Sequence, residues 1–497
     1  MKKSSVQLLL QTSNLFVGFM VWVLISSLMP SIKEDIILTS GQASLITAIP
    51  VILGSLLRIP IGFYTNRLGA KKLFIISFII LLVPVFYISF ADSFIDLVVG
   101  GLILGIGGAV FSIGVTSLPK YYPKEKHGFI NGIYAIGNVG TAITTFAAPV
   151  LAGLIGWQST VRLYLILLLV FTLITFLLGD RDESKIKLSM GEQIRGVYKN
   201  TKLWFLSLFY FITFGSFVAF TVFLPNFLVN NFALNPVDAG IRTAGFIVLA
   251  TLMRPIGGWL ADKFNAFIIL MFTFVGVAIS GILLSFSLNI TWYSVGALAV
   301  AVCVGIGNGT VFKLVPLYFT KQAGVVNGIV AAMGGLGGFF PPLLLSTVYS
   351  MTGHYSIAFM LLSELAMVCF VIVIFMYYKD QLNMEKSIIE GTVEGIIVTN
   401  NSGIIQDVNP AFTKVTGFTK EEAIGKTPRL LSSGKHGPSF YNQMWRTIES
   451  QGFWKGEIWN QRKNGDIYKE LLTISAIEND AGEVKFYAGM FNELENN

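Results

Sequence analysis

The chain has 497 residues, 54% of them apolar, with 50 glycines and only 13% charged, against about 25% charged in soluble globular proteins. Residues 1–380 hold 23 Lys+Arg and 13 Asp+Glu, whereas residues 381–497 hold 12 and 15. An oily, basic body is therefore followed by a soluble, mildly acidic tail. These numbers exclude a disordered, fibrous or disulfide-stapled chain, and they argue against an ordinary cytosolic enzyme. The net charge of +7 describes neither part and does not imply nucleic-acid binding; basic cytoplasmic loops between membrane spans account for it.

In chain order, Lys2 and Lys3 precede an apolar stretch without a small-residue cleavage site, which reads as a retained first helix. At about 20 apolar residues per span, twelve spans follow, at 8–30, 42–66, 73–92, 95–118, 128–155, 160–179, 203–229, 238–260, 266–287, 291–318, 323–351 and 356–378. Breaks after even-numbered spans carry Arg67, Lys71 and Lys72, then Lys120, Lys124 and Lys126, then Arg181 through Lys202. Breaks after odd-numbered spans carry Lys33 beside Glu34 and Asp35, then Asp92, then Asp238. Positive charge stays inside, so both termini are expected in the cytoplasm. Cys303 and Cys369 lie in apolar runs with no metal or redox spacing, and no metal site is expected.

The body repeats itself. Arg58, Gly62 and Asn66 recur 196 positions later as Arg254, Gly258 and Asp262, and Asn131-Gly132 recurs as Asn327-Gly328. Gly105-Ile-Gly107 has its counterpart in Gly305-Ile-Gly307. Two six-helix halves, about 1–180 and 203–380, around a midplane site follow the logic of a secondary transporter. No phosphate-binding loop of the Walker type is present.

Arg58 and Arg254 each sit some eight residues from the cytoplasmic end of a span, about 12 Å deep. A charge there costs about 2.5–3.5 kcal/mol on insertion scales. Two facing guanidiniums repel unless an anion lies between them, and their planar fork suits a planar oxyanion. Phe111, Asn138, Tyr210, Phe214 and Phe312 fall in the same layer, at about 10–16 Å. Glu364 and Lys313 are the other intramembrane charges outside the loops. Either could carry a proton as coupling ion; the alternative is a snorkelling Lys313 and a structurally paired Glu364, which favours anion exchange. His127, His354 and His436 read as solvated loop residues.

The body resembles the major facilitator superfamily, an all-α membrane fold. The stretch Gly62, Asn66, Arg67, Gly69, Lys71-Lys72 looks like its gating motif, with Asn66 where Asp is usual, and Asp262 stands at the repeat position. More narrowly, it resembles the nitrate/nitrite porters. The matching residues are the paired arginines, Ala135-Ile-Gly-Asn-Val-Gly-Thr141, Asn327 through Gly338 and Tyr210-Phe-Ile-Thr-Phe214. The resemblance implies nitrate or nitrite held between the arginines, with Tyr210, Asn138, Phe111 and Phe214 nearby. An anion-sensing receptor and a carrier for another small anion are the alternatives.

The tail, 385–497, reads as a small α+β domain. Strands are expected at 395–399, 403–408, 455–459, 467–473 and 484–488, with short helices at 411–413 and 420–423. Asp407-Val-Asn-Pro-Ala-Phe412, Thr416-Gly-Phe-Thr and Gly452 through Gly465 resemble a PAS domain. Its likeness to redox PAS domains implies a flavin; an empty domain that binds a cytoplasmic protein is the alternative. The tail has no cysteine, which excludes a flavin–cysteinyl adduct.

Overall fold

The computed structural model describes residues 3–185, 189–234, 236–286, 289–320, 322–352, 355–478 and 482–494. The chain divides into two compact units, Met1–Phe375 and Met376–Asn497.

The first unit is helical throughout. Among the described residues ten helices are long and apolar enough to cross a membrane, a bent pair makes an eleventh, and Ala323–Phe339 is apolar but shorter. In chain order they begin with α1 (Lys3–Asp35), the bent α2 (Gly41–Leu56 and Arg58–Leu68), α3 (Ala70–Ile88), α4 (Phe94–Tyr121), α5 (Lys124–Ile155) and α6 (Trp157–Leu178). The second half holds α7 (Thr201–Phe232), α8 (Pro236–Lys263), α9 (Ala266–Phe286), α10 (Ile290–Tyr318), α11 (Ala323–Thr352) and α12 (Ser356–Gly391). The twelve segments follow the expected order. The first starts earlier and ends later than hydropathy suggested, with an irregular turn at Val23. The last continues to Gly391, 13 residues past the expected end, because no Pro or Gly interrupts it before that point.

Small residues let the halves meet. A side-chain carbon on Gly132 of α5 would lie 2.6 Å from the Arg254 carbonyl oxygen, and one on Gly328 of α11 would lie 2.6 Å from that of Arg58. Gly62 likewise abuts Gly324, and Gly128 abuts Gly258. Crossed packing of α5 on α8 and of α11 on α2 is thus written in glycine. Asn131 Nδ2 donates to the Phe312 carbonyl at 3.2 Å, and its repeat partner Asn327 donates to the Val115 carbonyl at 3.1 Å. Gly132→Ala and Gly328→Ala force the seam apart, at about 1–3 kcal/mol of overpacking. We expect each to lower flux about 5- to 150-fold. Gly153→Ala, with open space around it, is the matched control.

The segment between the halves straps back onto the first. Asp180 pairs with Lys3 at 2.8 Å and accepts from Tyr121 Oη at 2.8 Å. Glu183, nearly buried, pairs with Lys120 at 2.8 Å and accepts from the Ala70 N–H at 2.7 Å. That last bond caps the start of α3, where the carboxylate meets the positive end of the helix. Gly69 just before it has φ +88°, a conformation that favours glycine.

The second unit has a five-stranded antiparallel sheet in the order β2-β1-β5-β4-β3. Its strands are β1 (Gly395–Asn400), β2 (Ile405–Val408), β3 (Phe453–Gln461), β4 (Ile467–Glu478) and β5 (Val484–Glu493). The helices α13 (Pro410–Thr416), α14 (Lys420–Ala423) and α15 (Pro438–Gln451) lie between β2 and β3 in the chain. Ile397, Ile405, Val408, Phe412, Ala423, Leu431 and Phe491 form its core. All five strands fall where alternation placed them, whereas no element was expected where α15 stands. The turn at 479–481 lies outside the described residues.

Candidate functional site

Arg58 opens the second arm of α2 and Arg254 sits within α8, and both are buried, at 0% and 1% exposure. No carboxylate pairs with either among the described residues. Instead, Arg58 Nε donates to the Gly108 carbonyl at 3.2 Å and its Nη1 to the Ala331 carbonyl at 2.7 Å. Asn138, with its amide oxygen turned to the guanidinium, accepts from Arg254 Nη2 at 3.0 Å and also from Nη1.

Aromatic rings shape the space between the arginines. The guanidinium carbons of Arg58 and Arg254 each lie 5.2 Å from the centroid of the Phe214 ring. Phe111 takes Arg58 on its other contact at 5.5 Å, and Phe217 takes Arg254 at 4.9 Å. Tyr210 stacks on Phe214 with centroids 5.0 Å apart, and Phe312 meets Tyr210 edge-on at 4.8 Å. Cation–π contact of this kind compensates part of the lost hydration of each cation, by about 2 kcal/mol when desolvated. It does not satisfy the remaining N–H groups. Among the described residues, Arg58 Nη2, Arg254 Nε and the Tyr210 hydroxyl are buried without a hydrogen-bond partner, and unpartnered buried donors are costly. The arrangement can therefore receive a small ligand that supplies negative charge and several acceptor oxygens in a plane.

Five of the seven expected binding residues (Arg58, Tyr210, Phe111, Phe214 and Phe312) are linked by these ring contacts. Arg254 joins them through Phe214, and Asn138 through Arg254. Phe217 was missed. It follows Tyr210 and Phe214 on α7 at the i, i+4, i+7 spacing that places residues on one helix face, and that spacing could have found it. Ser55 and Gly335 also belong to the wall, since a side-chain carbon on Gly335 would lie 3.4 Å from Arg58 Nη1 and would strike Ser55 Oγ.

The residues expected to gate lie at the basic end of the bundle. Asp262 accepts from the Gly128 and Phe129 N–H groups at 3.0 and 2.7 Å and pairs with Lys313 at 2.6 Å. Lys313 also donates to the Lys124 carbonyl at 2.6 Å. It is therefore a cross-half clamp, not a snorkelling lysine, because Asp262 offers its cation a partner nearer than the water. Asn66, the repeat counterpart of Asp262, is buried beside Gly324 with its Nδ2 unpartnered. Gly62 supports the contact with α11, Gly69 makes the turn, and Arg67 is exposed. Glu364 is exposed on α12.

Two histidines depart from the expectation of solvated loops. His127 begins the regular part of α5, is 9% exposed and bonds the Tyr122 carbonyl at 3.0 Å. His436 stacks on Phe440 at 4.1 Å and its Nε2 accepts from the Trp459 N–H at 2.9 Å. His354 lies outside the described residues.

Comparison with known proteins agrees with this architecture. Residues 12–342 and 206–400 match the model of the Major Facilitator Superfamily. The chain belongs to that superfamily. Residues 393–495 match the PAS domain model. The chain is 66% identical over 380 residues to the nitrite extrusion protein of Bacillus subtilis, covering 76% of this chain and 96% of that protein. It is 53% identical over 381 residues to the probable nitrate transporter NarT of Staphylococcus epidermidis, covering 77% and 98%. These relatives are matched over nearly their whole length, which leaves about a quarter of this chain, the size of the PAS unit, without a counterpart in them. Among solved structures, the human organic anion transporter MFSD10 superposes with a TM-score of 0.64 at 14% identity, covering 75% of this chain and all of that one. The Escherichia coli fucose:proton symporter does so with 0.60 at 16%, covering 75% and 99%. Those two likenesses concern the fold alone. The superfamily consists of membrane transporters, so this chain is a multi-pass transporter and not an enzyme.

Proposed function

We propose that this chain carries nitrate and nitrite across the cell membrane by alternating access, with the anion held between Arg58 and Arg254. The observation that carries the reading is the pair of buried guanidiniums on one phenylalanine ring with no carboxylate beside them. A planar monoanion neutralises part of their repulsion. It also accepts from Arg58 Nη2, Arg254 Nε and Tyr210, the three donors left without partners. The names of the relatives supply the choice of nitrate and nitrite among planar anions. The glycine seams between α2 and α11 and between α5 and α8 are surfaces on which the halves can rock.

Anion exchange is the better-supported coupling. Lys313 is occupied by Asp262, and Glu364 lies on the exposed face of α12, away from the arginines. In this reading both termini lie in the cytoplasm, which the basic breaks after even-numbered spans support. Uptake of labelled nitrate into proteoliposomes loaded with nitrite, with and without a pH gradient, tests the reading. We expect uptake that needs internal nitrite or nitrate and is indifferent to the gradient. Absence of flux for either anion in well-inserted protein overturns it, and gradient-driven uptake into empty vesicles replaces exchange with proton symport.

The PAS unit is proposed to regulate transport through a cytoplasmic protein partner. What supports its working without a flavin is the packing behind the sheet. Phe412 and Phe491 meet edge-to-face at 6.1 Å, and the Phe491 ring covers Gly395, so the residues present do not fit a tricyclic ring system. Purified chain without flavin absorbance is the expected result. Because the transporter pattern is complete before the sheet begins, a chain ending at Gly391 retains nitrate flux within about twofold, a change of under 0.5 kcal/mol in activation free energy. Loss of flux in stably inserted truncated protein would make the PAS unit part of the transport machine.

A further inference from the structure

We infer that Asn308 of α10 is a further anion-contacting residue, and that its amide sets the preference of the site for nitrate over nitrite. The inference rests on the reading of the arginine pair as the anion site. Asn308 is 4% exposed, and among the described residues neither its Oδ1 nor its Nδ2 has a hydrogen-bond partner. A buried amide open at both ends is costly unless a ligand meets it.

The neighbours of α10 fix which way Asn308 faces. Gly305 and Gly309 meet α8, since a side-chain carbon on the first would lie 2.3 Å from the Ala250 carbonyl oxygen and one on the second 2.1 Å from that of Arg254. Gly307 meets Thr213 of α7 and Thr273 of α9. Phe312 belongs to the aromatic layer, with its ring centroid 4.8 Å from that of Tyr210 and 5.3 Å from that of Phe111. Asn308 precedes Phe312 by one turn and therefore shares its side of the helix. The contacts Gly305–Ala250, Gly309–Arg254 and Lys313–Asp262 advance together along both helices, so α8 and α10 run parallel. Side chains lean toward the start of their helix. Arg254 and Asn308 thus leave their backbones at one level and lean the same way, beside the same space.

The internal repeat sets the two halves of the site apart at this position. Gly105-Ile-Gly107-Gly108 recurs 200 positions later as Gly305-Ile-Gly307-Asn308. In the first half the Gly108 carbonyl accepts from Arg58 Nε at 3.2 Å, and a side-chain carbon on Gly108 would strike the Trp22 ring at 2.7 Å. In the second half an amide stands at the equivalent position, and Arg254 Nε has no partner among the described residues. The corner at Arg58 is closed by backbone; the corner at Arg254 holds an open, neutral donor. Nitrate presents three oxygens in a plane and nitrite two. In the proposed site Arg58, Arg254 and Tyr210 donate from α2, α8 and α7, and Asn308 Nδ2 adds a donor from a fourth helix for the oxygen that nitrite lacks. A buried donor left unpaired penalises the ligand without the matching acceptor.

The test measures nitrate and nitrite affinity of the purified full chain by thermal shift. Asn308→Leu keeps the volume and removes the donor. We expect nitrate affinity to fall about tenfold and nitrite affinity to change by less than about twofold. Without anion the variant should melt no lower than the parent, because an unpartnered amide has been removed. Equal loss for both anions, unchanged nitrate affinity, or a lower midpoint without anion overturns the inference. Should the Leu variant not insert, Asn308→Ala is read against the same ratio of affinities. Arg58→Lys, measured alongside, separates the two levels of the argument. Parental affinity for both anions in Arg58→Lys removes the arginine site and this inference with it. Weakened binding of both in Arg58→Lys, with no change in Asn308→Leu, removes this inference alone.

Discussion

Replacing Arg58 or Arg254 by lysine lowers nitrate affinity about ten- to a hundredfold, equivalent to about 1.5–3 kcal/mol for one lost charge-assisted hydrogen bond. Lysine keeps the charge but not the planar fork. At Arg58 it can reproduce neither the bond from Nε to Gly108 nor that from Nη1 to Ala331 while also presenting a donor to the anion. At Arg254 it loses the two-pronged contact with Asn138. The compact ammonium is also more strongly hydrated than guanidinium, so it gains less from stacking between Phe214 and Phe217. The double Lys variant should insert normally and be nearly inactive. Arg67→Lys, at the exposed end of α2, should bind nitrate as the parent does. Affinity is read from the quenching or thermal shift produced by nitrate on purified protein. Parental affinity in both single variants would mean that the arginines are structural and that the anion binds elsewhere.

The second large effect lies in the PAS unit, where a fragment of residues 376–497 should fold alone and lose about 3 kcal/mol of stability between pH 4.5 and 7. Glu470 of β4 is 1% exposed, and burial pushes its carboxyl up to about 7. Asn460 donates to Oε1 at 2.8 Å and no described residue is placed to donate well to Oε2, so Tyr468, Asn460 and Arg462 offset only part of the effect of burial. The folded state therefore holds a proton that the unfolded chain, near the ordinary value of 4.5, releases. An acid raised in the folded state contributes fully below the unfolded value. Its contribution declines as pH rises through the interval between the two and is gone above the folded value. At about 4–8 °C per kcal/mol for a domain of this size, the midpoint of thermal unfolding should drop by roughly 10–20 °C from pH 5 to pH 8. Glu470→Gln keeps the acceptor for Asn460 and removes the ionisation, so its melting curve should be flat over that interval and match the parent at pH 5. A parent midpoint that does not move, or a Gln variant that moves with it, refutes the assignment.

What could be read from the sequence was what depends on local pattern. A charge inside an apolar run is legible because the bilayer makes it expensive, and Arg58 and Arg254 at an offset of 196 announced the repeat and the candidate site, whose two guanidiniums meet on one ring. The strands of the PAS unit were legible because their residues alternate. The helix Pro438–Gln451 was not, since its only buried residues, Met444 and Ile448, make too thin an apolar stripe. Pro438 at its first turn was the available signal. The end of α12 was misplaced for a different reason: hydropathy reports where a chain leaves the membrane, whereas a helix stops where its backbone can no longer continue, here at Gly391. Lys313 was misjudged because its partner is 51 positions away, a pairing created only when α8, α10 and α5 meet.

The mismatch between Asp262 and Asn66 gives the proposed transport cycle a handedness. Where α8 meets α5, separation breaks the bonds from the Gly128 and Phe129 N–H groups to the Asp262 carboxylate and the bond from Lys313 to the Lys124 carbonyl. At the related contact of α2 with α11, Asn66 presents a neutral amide whose nitrogen has no partner among the described residues. In the proposed cycle the doorway at this end is therefore hinged on one jamb and unlatched on the other: α2 and α11 part first, and the α5–α8 side acts as the pivot until Lys313 lets go of Lys124.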